Sequence, residues 1–216
     1  MITENSGTQS RIISAALDEF GVKGYQGASL RKIVKAAGVT TGAFYGYYDS
    51  KLNLFGELIG VHYKNITKYF QNTVDTFEKL PAEKQIQLME EISADSLDYM
   101  LSYAYKNIRE FRILLTKSEG MPYCNLIDKL IDIEEVSTER FMVLIGKAEY
   151  EISKSDKRFF HTVSTGMFNA FAELILHDMS FGEAKRQMDL LRRFYRLYKL
   201  FRGFVKITFN EVWGVL

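Results

Sequence analysis

Along most of this chain apolar residues return every three or four positions, the interval that lines one face of an α-helix. Residues 1 to about 7 are polar and predict a short arm. Ile13, Ala16, Leu17 and Phe20 then share a face, and Gly24 predicts the end of that helix, over which Tyr25 would close. Ser29 is suited to cap a second helix carrying Leu30, Ile33, Val34 and Ala37 inward, with Arg31, Lys32 and Lys35 outside. Gly38 stands where the chain needs a left-handed residue to leave that helix, and Val39 and Thr40 make the turn. Thr40 is then the N-cap of a short third helix, and Val39 can pack on Phe44 to fix its entry angle.

A long periodic segment follows from Leu52 to about Phe77, with Phe55, Leu58, Ile59, His62, Ile66, Tyr69 and Phe77 along one side; Gly56 and Gly60 soften its first turns, and Leu80-Pro81 stops it. Ala82 to about Tyr105 reads as another long helix and Ile108 to Lys117 as a short one. SEGMPY, residues 118–123, is the clearest loop. Segments 125–150, 155–177 and 182–204 predict three more long helices, while the tail from 205 to 216 has no clear period. The expected class is therefore all-α. The expected organisation is an N-terminal three-helix head, residues 1–51, joined by the long helix to a helical body, residues 52–216.

Two helices joined by a turn of about four residues, with small polar groups and phenols outward on the second, form a pattern suited to a DNA groove. Thr41, Gly42, Tyr45 and Tyr47 face out, while Phe44 and Tyr48 return to the core. The run AAGVTTGAFYGYYDSKLNLF, with its Gly-Val-Thr turn, Phe-Tyr-x-Tyr-Tyr helix and following Ser-Lys, resembles the DNA-binding signature of the TetR/AcrR-type family of bacterial transcriptional regulators. The resemblance covers roughly the first quarter of the chain. It departs at Leu52, where the family usually has an acidic residue. It implies a homodimer on a double-stranded DNA operator, with Thr40, Thr41 and Gly42 nearest the bases and Ser29, Tyr45, Tyr47 and Lys51 on phosphates. It also implies a small-molecule effector held within the body, whose binding releases the operator.

Composition narrows this picture in a few places. The chain has 216 residues, 47% of them hydrophobic, enough to fill a core. No apolar run approaches the roughly 18 residues of a membrane span, and the first residues offer no secretory signal, so a cytoplasmic address and no membrane partner are expected. Cys124 is the one cysteine, which excludes an internal disulfide and predicts a buried, inert thiol. Through Lys51 there are six Lys and Arg against four Asp and Glu, so the head is only mildly basic and two copies would have to share the work on DNA. Residues 185–206 are far more basic, with eight against one.

The body carries 24 of the 30 aromatic residues. For any one of them plain core is the commoner role, but as a group, given the resemblance, His62, Tyr69, Met100, Tyr103, Phe111, Phe141 and Phe168 are the candidate ligand-binding residues. A pocket of aromatic rings and a few hydroxyls would take a flat or greasy, poorly charged ligand. The three histidines lie on separate predicted helices without metal-ligand spacing, and Asp128, Asp132, Glu135 and Glu139 read as a solvated acidic stripe. No cofactor, metal or catalytic set is expected, because no nucleophile motif or Gly-rich phosphate loop occurs.

The helices at 155–177 and 182–204 carry apolar stripes, Phe160, Val163, Met167, Ala170, Phe171 and Leu174 on one and Leu190, Phe194, Leu197, Phe201 and Phe204 on the other. Paired with their symmetry mates they would make a four-helix dimer interface, and Arg192, Arg196 and Lys199 beside them could pair with a neighbouring acidic face. The alternative is a helical ligand-binding or membrane-surface protein whose DNA head is not functional.

Overall fold

The computed structural model describes residues 2–145 and 152–194. Among these the ordered elements are helices: α1 (Ile2–Gly27), α2 (Leu30–Ala36), α3 (Thr41–Tyr45), α4 (Lys51–Phe55), a π-helical turn (Gly56–Gly60), α5 (Val61–Glu78), α6 (Ala82–Lys106), α7 (Ile108–Thr116), α8 (Leu126–Ile145), α9 (Lys154–Leu176) and α10, helical over 181–194. No strand occurs among the described residues. The helix expected at 125–150 is described to 145 and that at 182–204 to 194; the tail, Leu197, Phe201, Phe204, Arg196 and Lys199 lie outside the described residues.

The expected polar arm is instead the first part of α1, which is helical from Ile2. The helix is interrupted at Gly24, whose φ of 64° and ψ of 177° turn the chain. A side chain there would also meet the Lys117 carbonyl at 3.3 Å, and that carbonyl accepts the Tyr25 N–H at 3.1 Å. The α1 face that goes inward is Ile12, Ala15, Ala16, Leu17 and Phe20, with Ile13 half-buried at its edge.

One apolar core runs from the head into the body. Phe20 meets Phe55 edge-on at 4.7 Å, Phe70 meets Phe168 at 5.5 Å, and the stripe Phe55, Ile59, His62, Ile66, Phe70, Val74 and Phe77 threads between them. Leu58 and Tyr69, expected in that stripe, lie half-buried beside it. α8 and α9 are clamped across their exposed sides by Lys157–Glu139 and His161–Glu135, both at 2.6 Å, so the acidic stripe of α8 is half spent on α9. A Ser153–Asp156 capping box begins α9, each side chain bonding the other residue's backbone N–H. Arg192 on α10 reaches α6, pairing with Asp98 at 3.2 Å and donating to the Ala94 carbonyl at 3.0 Å.

Two polar residues that periodicity passes over hold helix ends. The buried Gln85 donates to the carbonyls of Glu78 and Leu80 at 3.1 and 2.8 Å, closing the C-terminus of α5. Ser118, also buried, donates to the Leu114 carbonyl at 2.6 Å. Cys124, by contrast with the expected buried thiol, is exposed on the loop after α7. Its neighbours Met121 and Tyr123 take the inward positions of that loop instead.

Candidate DNA interface and ligand chamber

The turn between α2 and α3 is built from local bonds. Gly38 has φ 64°, its N–H donates to the Lys35 carbonyl at 3.2 Å, and the Val39 N–H donates to the Val34 carbonyl at 3.1 Å. This is the paired closure that satisfies the last carbonyls of a helix through a left-handed glycine. Two residues on, the Thr40 hydroxyl accepts the Ala43 N–H at 3.1 Å and starts α3. Phe44 and Tyr48 anchor α3 below, 0% and 2% exposed, with rings 5.7 Å apart.

Above that anchor Thr40, Thr41 and Gly42 are exposed, and Tyr45 is 53% exposed. Tyr47 is half-buried, its ring packed against the core. Ser29 is half-buried too. It stands at the N-cap position of α2 without a side-chain cap bond, and its backbone N–H donates to the Glu19 carboxylate at 3.0 Å. Arg31, Lys32 and Lys35 are exposed on α2.

Lys51 departs from its expected place on a phosphate. Its ammonium donates to the carbonyls of Tyr25 and Ala28 at 2.8 and 2.9 Å and lies 4.5 Å from the centre of the Tyr25 ring. Carbonyls gathered at the end of α1 attract a cation, whereas the N-terminus of α4 repels it. Lys51 therefore pins the start of α4 to the end of α1. The pattern had marked the residue but not its direction, which depends on a contact 23 to 26 residues away.

The seven aromatic and related residues expected around a ligand do not form one site. His62, Tyr103 and Phe111 come together: Asn65 donates to the Tyr103 hydroxyl at 2.8 Å, and that hydroxyl lies 3.0 Å from His62 Nδ1, placed to donate to it. Burial holds the His62 pKa below its ordinary value, against the opposing pull of Glu110. Met100, Phe111 and Phe168 are fully buried core side chains, and Met100 and Phe168 are filler. Tyr69 stacks on Tyr99 at 3.9 Å. Of the seven, Phe141 alone lines the chamber between α5, α6 and α8, a half-open cleft of about 60 Å³. Its walls are Phe70, Phe77 and Phe141, with hydroxyls of Thr73, Ser93, Ser96, Ser137 and Thr138 and the carboxylate of Glu134. Tyr69 borders a shallower cleft alongside, with Asn72, Thr76 and Ile92. The chamber escaped the periodicity because small polar residues on three helices make it, and their convergence is not written in any one segment.

Two contacts join the head to the body. Tyr123, from the loop after α7, lies on the π-helical turn, stacked on Phe55 at 6.0 Å and tilted against Tyr63 at 6.3 Å. A side chain at Gly60 would come within 2.9 Å of its ring. Its hydroxyl is buried without a partner, and burial pushes its pKa up to about 12. Arg109 on α7 adds an exposed ion pair to Asp18 of α1 at 2.6 Å.

Residues 12–58 match the model of the bacterial regulatory proteins of the TetR family. This head segment is of the TetR/AcrR type. Over 61 residues it is 39% identical to YdgC of Bacillus subtilis (strain 168), named as an uncharacterised helix-turn-helix transcriptional regulator, a stretch covering 28% of this chain and 31% of that protein. Over 63 residues it is 40% identical to the transcriptional regulator AcrR of Shigella flexneri, covering 29% of each chain. The chain thus spans about three tenths of the length of the curated relatives it matches. Likeness of fold extends further. A TetR-like regulator from Rhodococcus sp. RHA1 superposes with a TM-score of 0.56 at 17% identity, over 86% of this chain and 91% of its own. A TerR/AcrR-family regulator from Aquifex aeolicus VF5 does so with 0.50 at 27% identity, over 88% and 99%. The TetR-type head is thus joined to a body of TetR-type fold. Among the described residues no helix is long and apolar enough to cross a membrane.

Proposed function

We propose that this protein is a dimeric, sequence-specific DNA-binding transcriptional regulator, a repressor released from a palindromic operator by a small, poorly charged ligand. The observation that carries the reading is α3, capped at both approaches, anchored by Phe44 and Tyr48, and bare outward at Thr40, Thr41, Gly42 and Tyr45. Small hydroxyls and an uncovered backbone let a helix come close to base edges, and phenols and helix-borne cations suit phosphates. Tyr45, Tyr47 and Ser29 take the phosphate roles, joined by Arg31 and Lys32; Lys51 is a positioning residue. Two subunits place their α3 helices in successive major grooves, about 34–36 Å apart.

The dimer uses α9 and α10. Val163, Met167 and Ala170 are half-buried along α9, and Leu190 and Phe194 on α10 are 63% and 66% exposed, more apolar surface than an isolated chain favours. The effector occupies the chamber between α5, α6 and α8, and its aromatic walls, with no Lys or Arg among the described lining residues, support an uncharged ligand. A tenfold release of DNA requires that the ligand favour the released conformation by about 1.4 kcal/mol.

The test is selection of random duplex DNA on the purified protein. Enrichment of a palindrome with half-sites one helical turn apart is the expected result. Retention without sequence preference, or none at low salt, would overturn it.

A further inference from the structure

Ser96 lies on α6 within the chamber, 3% exposed, and its hydroxyl has no hydrogen-bond partner. The hydroxyl of Thr165 on α9, away from the chamber lining, is likewise unpaired, but several other helical hydroxyls of the body are satisfied locally. Those of Thr67, Thr73, Thr76, Thr116 and Thr162 donate to the carbonyl four residues back at 2.7–3.0 Å. That local bond is available to any serine or threonine within a helix, and it is how a hydroxyl on a dry helix face is ordinarily satisfied. Ser96 forgoes it while sitting deeper than any of them. An enclosed, unpaired hydroxyl in a cavity wall calls for a partner.

The rest of the lining says what kind of guest. Phe70, Phe77 and Phe141 offer ring faces and edges to a flat apolar body. Glu134 is the one charge among the described lining residues, and a carboxylate there repels an anion. The hydroxyl of Thr73, already donating to the Tyr69 carbonyl, has given up its proton and offers only an acceptor. Ser96 can still both donate and accept.

We propose that Ser96 is the polar anchor of the chamber, and that its ligands are uncharged aromatic molecules of one or two rings bearing a single hydrogen-bonding oxygen, which bonds the Ser96 hydroxyl while the rings lie among Phe70, Phe77 and Phe141. This rests on the chamber being the effector site. The oxygen sets orientation and the rings supply the affinity. A guest of the same shape without the oxygen binds, but leaves Ser96 unpaired and binds more weakly.

The experiment titrates the full-length protein, by calorimetry, with 2-naphthol and with 2-methylnaphthalene, which differ by a hydroxyl for a methyl. The wild type should bind 2-naphthol about tenfold more tightly, the size expected for one hydrogen bond whose loss strands a buried partner. Ser96→Ala should bring the two affinities within about twofold, mostly by weakening 2-naphthol. Met89→Trp, which fills the chamber from α6, should weaken both. If the preference for 2-naphthol survives Ser96→Ala while Met89→Trp still weakens both probes, the anchor is overturned and the chamber stands. If Met89→Trp leaves both affinities unchanged, the chamber reading falls, and the anchor with it. If neither probe binds the wild type at its solubility limit, the ligand class is wrong.

Discussion

Gly60→Ala isolates the contact between the π-helical turn and the loop after α7. Alanine is the better helix former by about 0.5–1 kcal/mol, so on backbone grounds alone the change should stabilise. The added Cβ, however, falls 2.9 Å from Tyr123 Cε1, 3.1 Å from Cζ and 3.3 Å from Cδ1. Three contacts on one ring edge cannot be relieved by a small rotation, and Phe55, fully buried, backs the ring on one face. The displaced ring would carry Tyr123 away from Phe55 and Tyr63. Overpacking of this kind costs roughly 1–3 kcal/mol. Subtracting the propensity gain leaves a net loss of up to about 2.5 kcal/mol. For a chain of this length the melting temperature should fall by up to roughly 10 °C, since each kcal/mol corresponds to about 2–4 °C. The assay is thermal unfolding of wild type, Gly60→Ala, Tyr123→Leu and the double variant. With the ring gone, Gly60→Ala should raise the melting temperature. A rise in the wild-type background, or the same fall in both backgrounds, would refute the assignment of the contact to Tyr123.

Three further outcomes follow from the head and its link. Lys51→Met strands the carbonyls of Tyr25 and Ala28 and should cost about 1.5–3 kcal/mol in denaturant unfolding, lowering DNA affinity through misplacement of α4; unchanged stability would return Lys51 to a surface role. Thr40→Ala removes the cap of α3 and should destabilise by about 1 kcal/mol, with Thr40→Ser restoring most of it, as measured by the midpoint of urea unfolding. Because burial raises the Tyr123 pKa from 10 to about 12, the folded state favours the neutral phenol. The stability it contributes is complete below pH 10 and is lost as pH rises from 10 through 12, a fall that Tyr123→Phe should abolish.

The features legible in the sequence are those settled within a turn or two of helix. Gly38 and Thr40 determine the turn between α2 and α3 from positions two apart, and both stand in the structure with the bonds their residue types imply. Pro81, the 118–123 loop and the starts of α6, α7 and α9 are local in the same sense. What could not be read is what depends on distant partners. Lys51 looks like a phosphate contact until the end of α1 is brought beneath it. Cys124 looks apolar enough to bury until Met121 and Tyr123 occupy the inward places of its loop. Large aromatics look like pocket residues in the sequence but mostly fill the core, because they bury the most surface; the cavity survives where Thr73, Ser93, Ser96, Ser137 and Thr138 are too small to fill it. Gly56 and Gly60 signalled a soft start to the long helix, yet neither specified a π turn. That geometry goes with Tyr123 lying against it from more than 60 residues further along the chain.

The π turn also sets a phase. A regular helix advances roughly 100° about its axis per residue, so a segment one residue longer or shorter rotates everything beyond it by about that amount. Gly56–Gly60 is where Lys51–Phe55, seated in the head, is spliced to Val61–Glu78, seated in the body. Removing a single residue there would favour an unbroken α-helix while turning the head by more than a quarter circle against the core it shares with the body. A substitution on the exposed side of α5 is therefore felt only where it stands, whereas a change of length at the splice is felt by the whole head.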